Sequence, residues 1–294
     1  MRLEIFIPFY GPLDYLKEAV ESVIAQSDPE WRLTICDDAY PSPEPEEWVR
    51  SLADKRIAYV RNKSNLGVTA NFNKCLSRAK DGWLVLMGGD DRLLPNYVSR
   101  AKFLISHAGD AVMIQPGVQP INGNGAPTNS APDIAKHFLS PRTGKPIVLD
   151  ADAALKSLML GNWLYFPSII WNRQAVAAQG FNPEFSVVQD LELESKLLMS
   201  GGSLLVDFDK TFEYRRHKGS VSSQGGFDGT RYLEEARLFK TLAKELSARG
   251  NTSASKRART HIVSRLAALF QLIRGTFLLG LADRKTLIQH IFLS

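Results

Sequence analysis

Three observations predict an α/β fold with a doubly wound, mostly parallel sheet. Short apolar runs alternate with amphipathic helical segments from the N-terminus as far as Pro95. That rhythm is the pattern of βαβ units, whose helices cover both faces of a parallel sheet. Adjacent carboxylates, Asp37-Asp38 and Asp90-Asp91, stand where two of the apolar runs stop. In open α/β sheets ligands bind at the carboxyl ends of the strands, so the two pairs can share one crevice.

In order, Leu3 to Ile7 reads as a buried first strand ended by Pro8. A helix from Asp14 carries Leu16, Val20, Val23 and Ile24 on one face. Arg32 to Cys36 is a second strand, and the Pro41, Pro43 and Pro45 segment is a loop. A short helix over Glu46 to Leu52, a strand over Ile57 to Val60 and a helix over Val68 to Ala79 follow. Trp83 to Met87 is then another buried strand, Asn96 to Ser106 a helix and Ala111 to Gln115 a strand. Residues 116–146, rich in Gly, Pro, Asn and Ser, are expected to be a long loop, the usual form of a functional segment. Helices over Ala151 to Leu160 and Asp190 to Met199, a strand over Ser203 to Asp207 and a basic loop over 214–220 complete this part. Beyond Asp228 the pattern turns helical. Lys256 to Leu281 is strongly apolar, but Arg265 and Arg274 interrupt the run of about 20 residues that a membrane span needs. A packed helical extension, or an interfacial helix on an anionic inner leaflet, fits better.

At 294 residues, 44% hydrophobic and 23% charged, the chain suits one large α/β domain with an appendage. The expected division is 1–225 and 226–294. A net charge of +5 suits anionic ligands or an anionic membrane surface and falls short of a nucleic-acid-binding signature. Cys36 and Cys75 lack CxxC spacing, which excludes a zinc or disulfide framework and fits a reducing, cytoplasmic setting. The N-terminus runs straight into the first strand without a signal-peptide core, so the chain is expected to begin inside the fold and stay unexported.

The stretch Trp83 to Pro95 carries the most chemistry. Gly88 and Gly89 allow close approach of backbone or ligand, and Asp90-Asp91 places two carboxylates side by side. A divalent cation with a phosphorylated ligand would stabilise them; a Gly-Asp turn in which Asp91 caps a helix is the plainer alternative.

Several spaced motifs resemble family 2 glycosyltransferases of the GT-A fold, over residues 3 to about 222. They are Ile7-Pro8-Phe9-Tyr10-Gly11, Ala19 to Ser27, Ile35 to Asp38, Asn65 to Val68, Asn71 to Leu76 and Gly89 to Pro95. Phe181 through Gln189-Asp190-Leu191-Glu192-Leu193 is similar to the family's later acidic segment. Tyr214-Arg215-Arg216-His217 with Gly219 to Ser222 is similar to its closing basic motif. The resemblance implies transfer of a sugar from a nucleotide diphosphate, UDP above all, to an acceptor hydroxyl, usually with inversion. A divalent metal, Mn²⁺ or Mg²⁺, would serve the leaving group, and a carboxylate would take the acceptor's proton.

The same resemblance implies roles for particular residues. Asp38 would accept a hydrogen bond from the base, with Pro8 and Tyr10 lining that pocket. Asp90 would face the ribose or donor sugar, and Asp91 would hold the metal; adjacent side chains in an extended chain point opposite ways. His217 would complete the metal's coordination or meet the diphosphate. Asp190 would be the catalytic base, Arg215 and Arg216 would meet phosphate or acidic acceptor groups, and Trp163, with Tyr165 and Phe166, would stack on an acceptor sugar. Gly88 stands where the commoner pattern has a first Asp, and Gln189 replaces the Glu that usually precedes the base. The implied setting is assembly of a surface polysaccharide or glycolipid, with a saccharide or lipid-linked acceptor, peripheral to the cytoplasmic membrane face. The rivals are a sugar-phosphate nucleotidyltransferase, which wants a Gly-rich basic loop where this chain has Pro8-Phe9-Tyr10-Gly11-Pro12, and a non-catalytic nucleotide-sugar-binding module.

Overall fold

The computed structural model describes residues 1–80, 82–217, 230–274 and 281–293. Strands β1 (Leu3–Phe9), β2 (Trp31–Asp37), β3 (Ile57–Arg61) and β4 (Trp83–Leu86) pair in parallel in the order β3-β2-β1-β4. They are joined by α1 (Leu13–Ile24), α2 (Glu44–Ser51) and α3 (Val68–Arg78). The chain continues through β5 (Arg92–Leu93), α4 (Tyr97–Ser106), β6 (Ala111–Asn122), α5 (Ala131–Leu139), β7 (Ile147–Leu149) and α6 (Ala151–Leu158). A 3-10 turn at Phe166–Ser168 leads to β8 (Ile170–Asn172), α7 (Arg173–Gln179), α8 (Gln189–Met199) and β9 (Ser203–Arg216). β8 runs antiparallel between β4 and β6, and β6 pairs in parallel with β9, which β5 and β7 flank antiparallel.

Period-two alternation in the central strands builds two cores. Leu3, Ile5, Ile7 and Phe9 of β1 pack with Leu33, Ile35, Val85 and the apolar faces of α1 and α4. Phe6, Cys36, Leu84 and Leu86 point the other way, into a core shared with α3, α6, α7 and α8. Burying each such side chain stabilises the fold by about 1.5–3 kcal/mol.

Three expectations are corrected. β1 runs through Pro8 to Phe9 instead of stopping. Its pairing with β4 ends at Phe6↔Leu86, and the Phe6 carbonyl, two residues earlier on the same edge, accepts from the Met87 N–H. Pro8 therefore lacks its N–H on a side where the ladder has ended. Residues 116–146 are not one long loop. β6 continues across Pro116 and Gly117 with register shifts against β9, and a Cβ at Gly117 would lie 2.6 Å from the carbonyl oxygens of Phe208 and Asp209. Only glycine admits that approach. α5 follows, opened by a Ser130/Asp133 capping box. Finally, Tyr214, Arg215 and Arg216 end β9 rather than lying in a basic loop.

The C-terminal part comprises α9 (Thr230–Ala248), α10 (Thr252–Thr260), α11 (Ile262–Arg274) and α12 (Leu281–Leu293). Leu238, Phe239, Leu242 and Leu246 of α9, with Ala254 and Ala258 of α10, enter the same core as Leu158 of α6 and Leu197 of α8. Tyr232, Ala268 and Leu287 form a separate small cluster that fastens α11 and α12 to α9. The expected boundary at 225/226 and Gly219 to Ser222 of the closing motif lie outside the described residues. Among those residues no helix is long and apolar enough to cross a membrane.

Candidate active site

A cleft of about 390 Å³ opens at the carboxyl ends of β1, β2 and β4. Its wall at the β1–β2 end is aromatic. Tyr10 is 58% exposed and meets Tyr40 edge-on at 5.7 Å, and Tyr40 in turn packs on Phe9 at 5.3 Å. Pro8 and Asp38 line the same end. Asp38 is buried, and its carboxylate accepts from Asn62 Nδ2 and the Leu66 N–H at 2.8 Å and from the Gly67 N–H at 2.9 Å. It thereby ties the Asn65-Leu66-Gly67 loop to the strand end while facing the cleft. Asp37 turns away and pairs with Arg61 at 2.9 Å.

Gly88 to Asp91 forms a turn, with the Asp91 N–H donating to the Gly88 carbonyl. The chain is not extended there, so the two carboxylates do not diverge as the sequence suggested. A Cβ on Gly88 would meet Asp91 Oδ2 at 2.5 Å and Asp90 Oδ1 at 2.8 Å. The two oxygens converge over Gly88, and the space of the commoner first carboxylate is already filled. Asp91 is buried, and its Oδ1 accepts from the Arg215 N–H at 2.8 Å. Its Oδ2 is buried without a hydrogen-bond partner. Burial first, and then the charge of Asp90, push the Asp91 pKa well above the ordinary carboxylate value. Asp90 Oδ2 meets His217 Nε2 at 2.7 Å, and the His217 ring packs against Tyr15 at 5.2 Å. Asp90, Asp91 and His217 all line the cleft. Among the described residues no group of three or more His, Cys, Asp and Glu side chains forms a metal-ligating set. The unpartnered Asp91 oxygen is the atom there that a cation would satisfy, with Asp90 and His217 beside it.

Asp190 lines the same cleft from the first turn of α8. Val188 occupies the N-cap. Burial raises the Asp190 pKa against the opposing pull of the Leu191 N–H, Lys136 and Arg231, so the helix terminus does not hold it low. Lys136 of α5 donates to the carbonyls of Asn162 and Leu164 and lies over the Tyr165 ring at 4.8 Å. Burial and Arg216 depress its pKa to about 8. Glu194, one turn beyond Asp190, is fully buried and accepts from Asn162 Nδ2 at 3.0 Å. Burial, and then Asp190, push its pKa well up.

The loop ahead of α8 is held from α9. Glu234 accepts from the N–H groups of Ser186, Val187 and Val188 at 3.0, 2.8 and 3.2 Å and from the Ser186 hydroxyl at 2.7 Å. Burial works against that charge, yet these donors bring its pKa below the usual value. Ser186 and Val187 line the cleft, so a C-terminal helix fixes the approach to Asp190. Glu234→Gln replaces one acceptor oxygen by a donor facing N–H groups. The 186–188 loop is expected to lose its anchor, which faster amide hydrogen exchange at Ser186, Val187 and Val188 than in the parent would read.

Three sequence-predicted contacts lie elsewhere. Trp163 is 3% exposed, sits in the core and donates Nε1–H to Ser157 Oγ at 2.9 Å, so it is no stacking wall. The Arg215 guanidinium is buried and donates to the Asp90 carbonyl at 2.6 Å, the Gly123 carbonyl at 3.0 Å and Glu18 at 2.5 Å. It supports the Asp90–Asp91 turn from behind instead of reaching a ligand. Arg216 pairs with Asp133 of α5 at 2.6 Å, which also accepts from the Tyr165 hydroxyl at 3.0 Å. Of the expected stacking residues, Phe166 lines the cleft. Sequence reasoning missed Glu18, Lys136, Glu194 and Glu234; each acts across a long separation, and no local pattern marks them.

The family model for glycosyl transferase family 2 matches residues 4–165, and the chain belongs to that family. It is similar to TuaG of Bacillus subtilis (strain 168), named for teichuronic acid biosynthesis, with 25% identity over 75% of this chain and 81% of that one. Alignments with three other curated relatives span only 39%, 42% and 40% of their lengths. Among solved structures, residues 1–349 of S. aureus TarS in complex with UDP-GlcNAc share the fold at a TM-score of 0.72 and 15% identity, covering 99% of this chain and 82% of that one. The mannosyltransferase PcManGT from Pyrobaculum calidifontis, in complex with GDP-Man and Mn²⁺, does so at 0.60 and 13%, covering 98% and 85%. At these identities the structures show the fold alone: GT-A, α/β, with C-terminal helices.

Proposed function

We propose that the protein is an inverting, metal-dependent glycosyltransferase that moves a sugar from a nucleotide diphosphate, UDP foremost, to an acceptor hydroxyl. The observation that carries this reading is a single cleft bordered by Asp38, the Asp90–Asp91 turn with His217, and Asp190. The base stacks against Tyr10 and Pro8 and donates to Asp38, whose second oxygen keeps a lone pair beyond its bond to Gly67. Asp91, with Asp90 or His217, holds a divalent cation, Mn²⁺ or Mg²⁺. When bound, that cation stabilises the charge of the departing diphosphate. Asp190 accepts the proton of the acceptor hydroxyl, and its raised pKa makes it a stronger base than a solvated carboxylate. Glu234 holds the Ser186–Val187 part of the cleft wall beside it. The acceptor is a saccharide or lipid-linked saccharide in surface-polysaccharide assembly, a setting supported by the name of TuaG.

A thermal-shift screen of nucleotide sugars, with and without Mn²⁺ or Mg²⁺, tests the reading. A donor of one nucleotide class should raise the melting temperature by mass action, and more so with metal. Absence of a shift with every donor would overturn it.

A further inference from the structure

α5 and α11 both turn large apolar side chains outward. Ile134 and Phe138 of α5 are 48% and 71% exposed, and Ile262, Leu266, Leu269 and Phe270 of α11 are 47%, 57%, 38% and 52% exposed. The four on α11 recur at i, i+4, i+7 and i+8, which places them on one helical face. The helices are neighbours: a Cβ on Gly161, between them, would meet Leu139 at the end of α5 at 2.8 Å and Val263 at the start of α11 at 3.2 Å. Exposed apolar side chains therefore stand on two adjoining elements far apart in the chain, a concentration of the kind that marks an interaction site.

Its charge identifies the partner. α10 and α11 carry Lys256, Arg257, Arg259, Arg265 and Arg274 and no Asp or Glu. Arg142 lies over the Phe138 ring at 4.9 Å, and the exposed Arg259 precedes Ile262 by three residues. Two copies meeting through this face would bring like charges together. An anionic bilayer meets both the apolar side chains and the basic rim. α11, 13 residues and about 20 Å long, would lie along such a surface.

The position of α5 sets the orientation. Its Asp133 holds Arg216, the residue before His217, and its Lys136 lies close enough to Asp190 to stabilise that charge. The apolar surface thus adjoins the Asp190 end of the cleft, away from Tyr10 and Asp38. We propose that Ile134, Phe138 and the outer face of α11 dock the protein on an anionic membrane, with the acceptor end of the cleft towards the lipid. The orientation rests on the transferase reading; the docking surface does not.

Sedimentation of the full chain with vesicles of phosphatidylglycerol and phosphatidylcholine, against phosphatidylcholine alone, reads the surface without any turnover. Binding is expected to the anionic vesicles and to weaken with salt. Phe138→Ser with Leu266→Ser should reduce it at least about 10-fold. Unchanged melting by circular dichroism and unchanged donor binding identify the double variant as folded; single Phe138→Ser serves if it is not. No binding to anionic vesicles, or equal binding by the folded variant, overturns the proposal. So does a concentration-dependent dimer in light scattering that the variant abolishes, because the face would then belong to a second copy.

Discussion

Asp190→Asn is expected to lower kcat by about 10²–10⁴-fold, the usual contribution of a positioned general base, while nucleotide-sugar affinity stays near that of the parent. Asparagine keeps the shape and can still accept from the Leu191 N–H, as Asp190 does at 2.8 Å, so the cleft keeps its form. What it loses is the proton acceptor. The pH dependence follows from the same residue. Burial lifts its pKa above the ordinary 3.8, and a base works only when deprotonated. The acidic limb of kcat/KM in the parent should therefore fall at a pH above that value. Stability moves the opposite way. A carboxyl whose folded pKa is raised costs stability once the pH exceeds its unfolded value, and the full cost is present above the folded one. Asparagine removes this cost, so the variant should melt no lower than the parent at neutral pH. Lost turnover with an equal or higher melting temperature separates a catalytic role from unfolding. Normal turnover in the variant would remove Asp190 from the mechanism.

The parts of the fold that were readable in the sequence follow from local periodicity. β1, β2 and β4 alternate or run apolar because both faces of a central parallel strand are covered, and the acidic pairs at their ends marked the cleft. The parts that were not depend on distant partners. β6 crosses Pro116 and Gly117 because the Phe208 and Asp209 carbonyls close against Gly117, some 90 residues on. Arg215 reads as a cationic loop residue until Glu18, nearly 200 residues earlier, and the Asp90 and Gly123 carbonyls take up its donors. Trp163 and Phe166 are three apart, equally aromatic and packed in the same core, yet Phe166 lines the cleft and Trp163 does not. Side-chain direction in irregular chain is not periodic, so no pattern separates them. The structure brings the Asp90–Asp91 pair to the cleft, but not with the opposed side chains that the sequence suggested. Opposed directions hold for an extended chain, and a turn sets its own.

That turn governs the second large effect. Asp91→Asn is expected to reduce kcat/KM by roughly 10²–10³-fold, the scale set by loss of one preorganised electrostatic contact to a developing charge. The melting shift produced by Mn²⁺ with a nucleotide sugar should disappear. Without ligands, the variant should be more stable than the parent. Asp91 Oδ2 is buried without a partner, and burial with the Asp90 charge raises the pKa of the group, so its ionised form costs stability at neutral pH. An asparagine there keeps the oxygen that accepts from the Arg215 N–H. It turns its amide towards the point over Gly88 where Asp90 Oδ1 also converges, and a repulsive pair becomes a donor and an acceptor. The parent thus holds a buried carboxylate oxygen at a cost that a cation would relieve. Differential scanning fluorimetry of both proteins, with and without Mn²⁺ and UDP-sugar, reads both halves of the expectation. A metal-dependent shift retained in Asp91→Asn would return this stretch to the plain Gly-Asp turn.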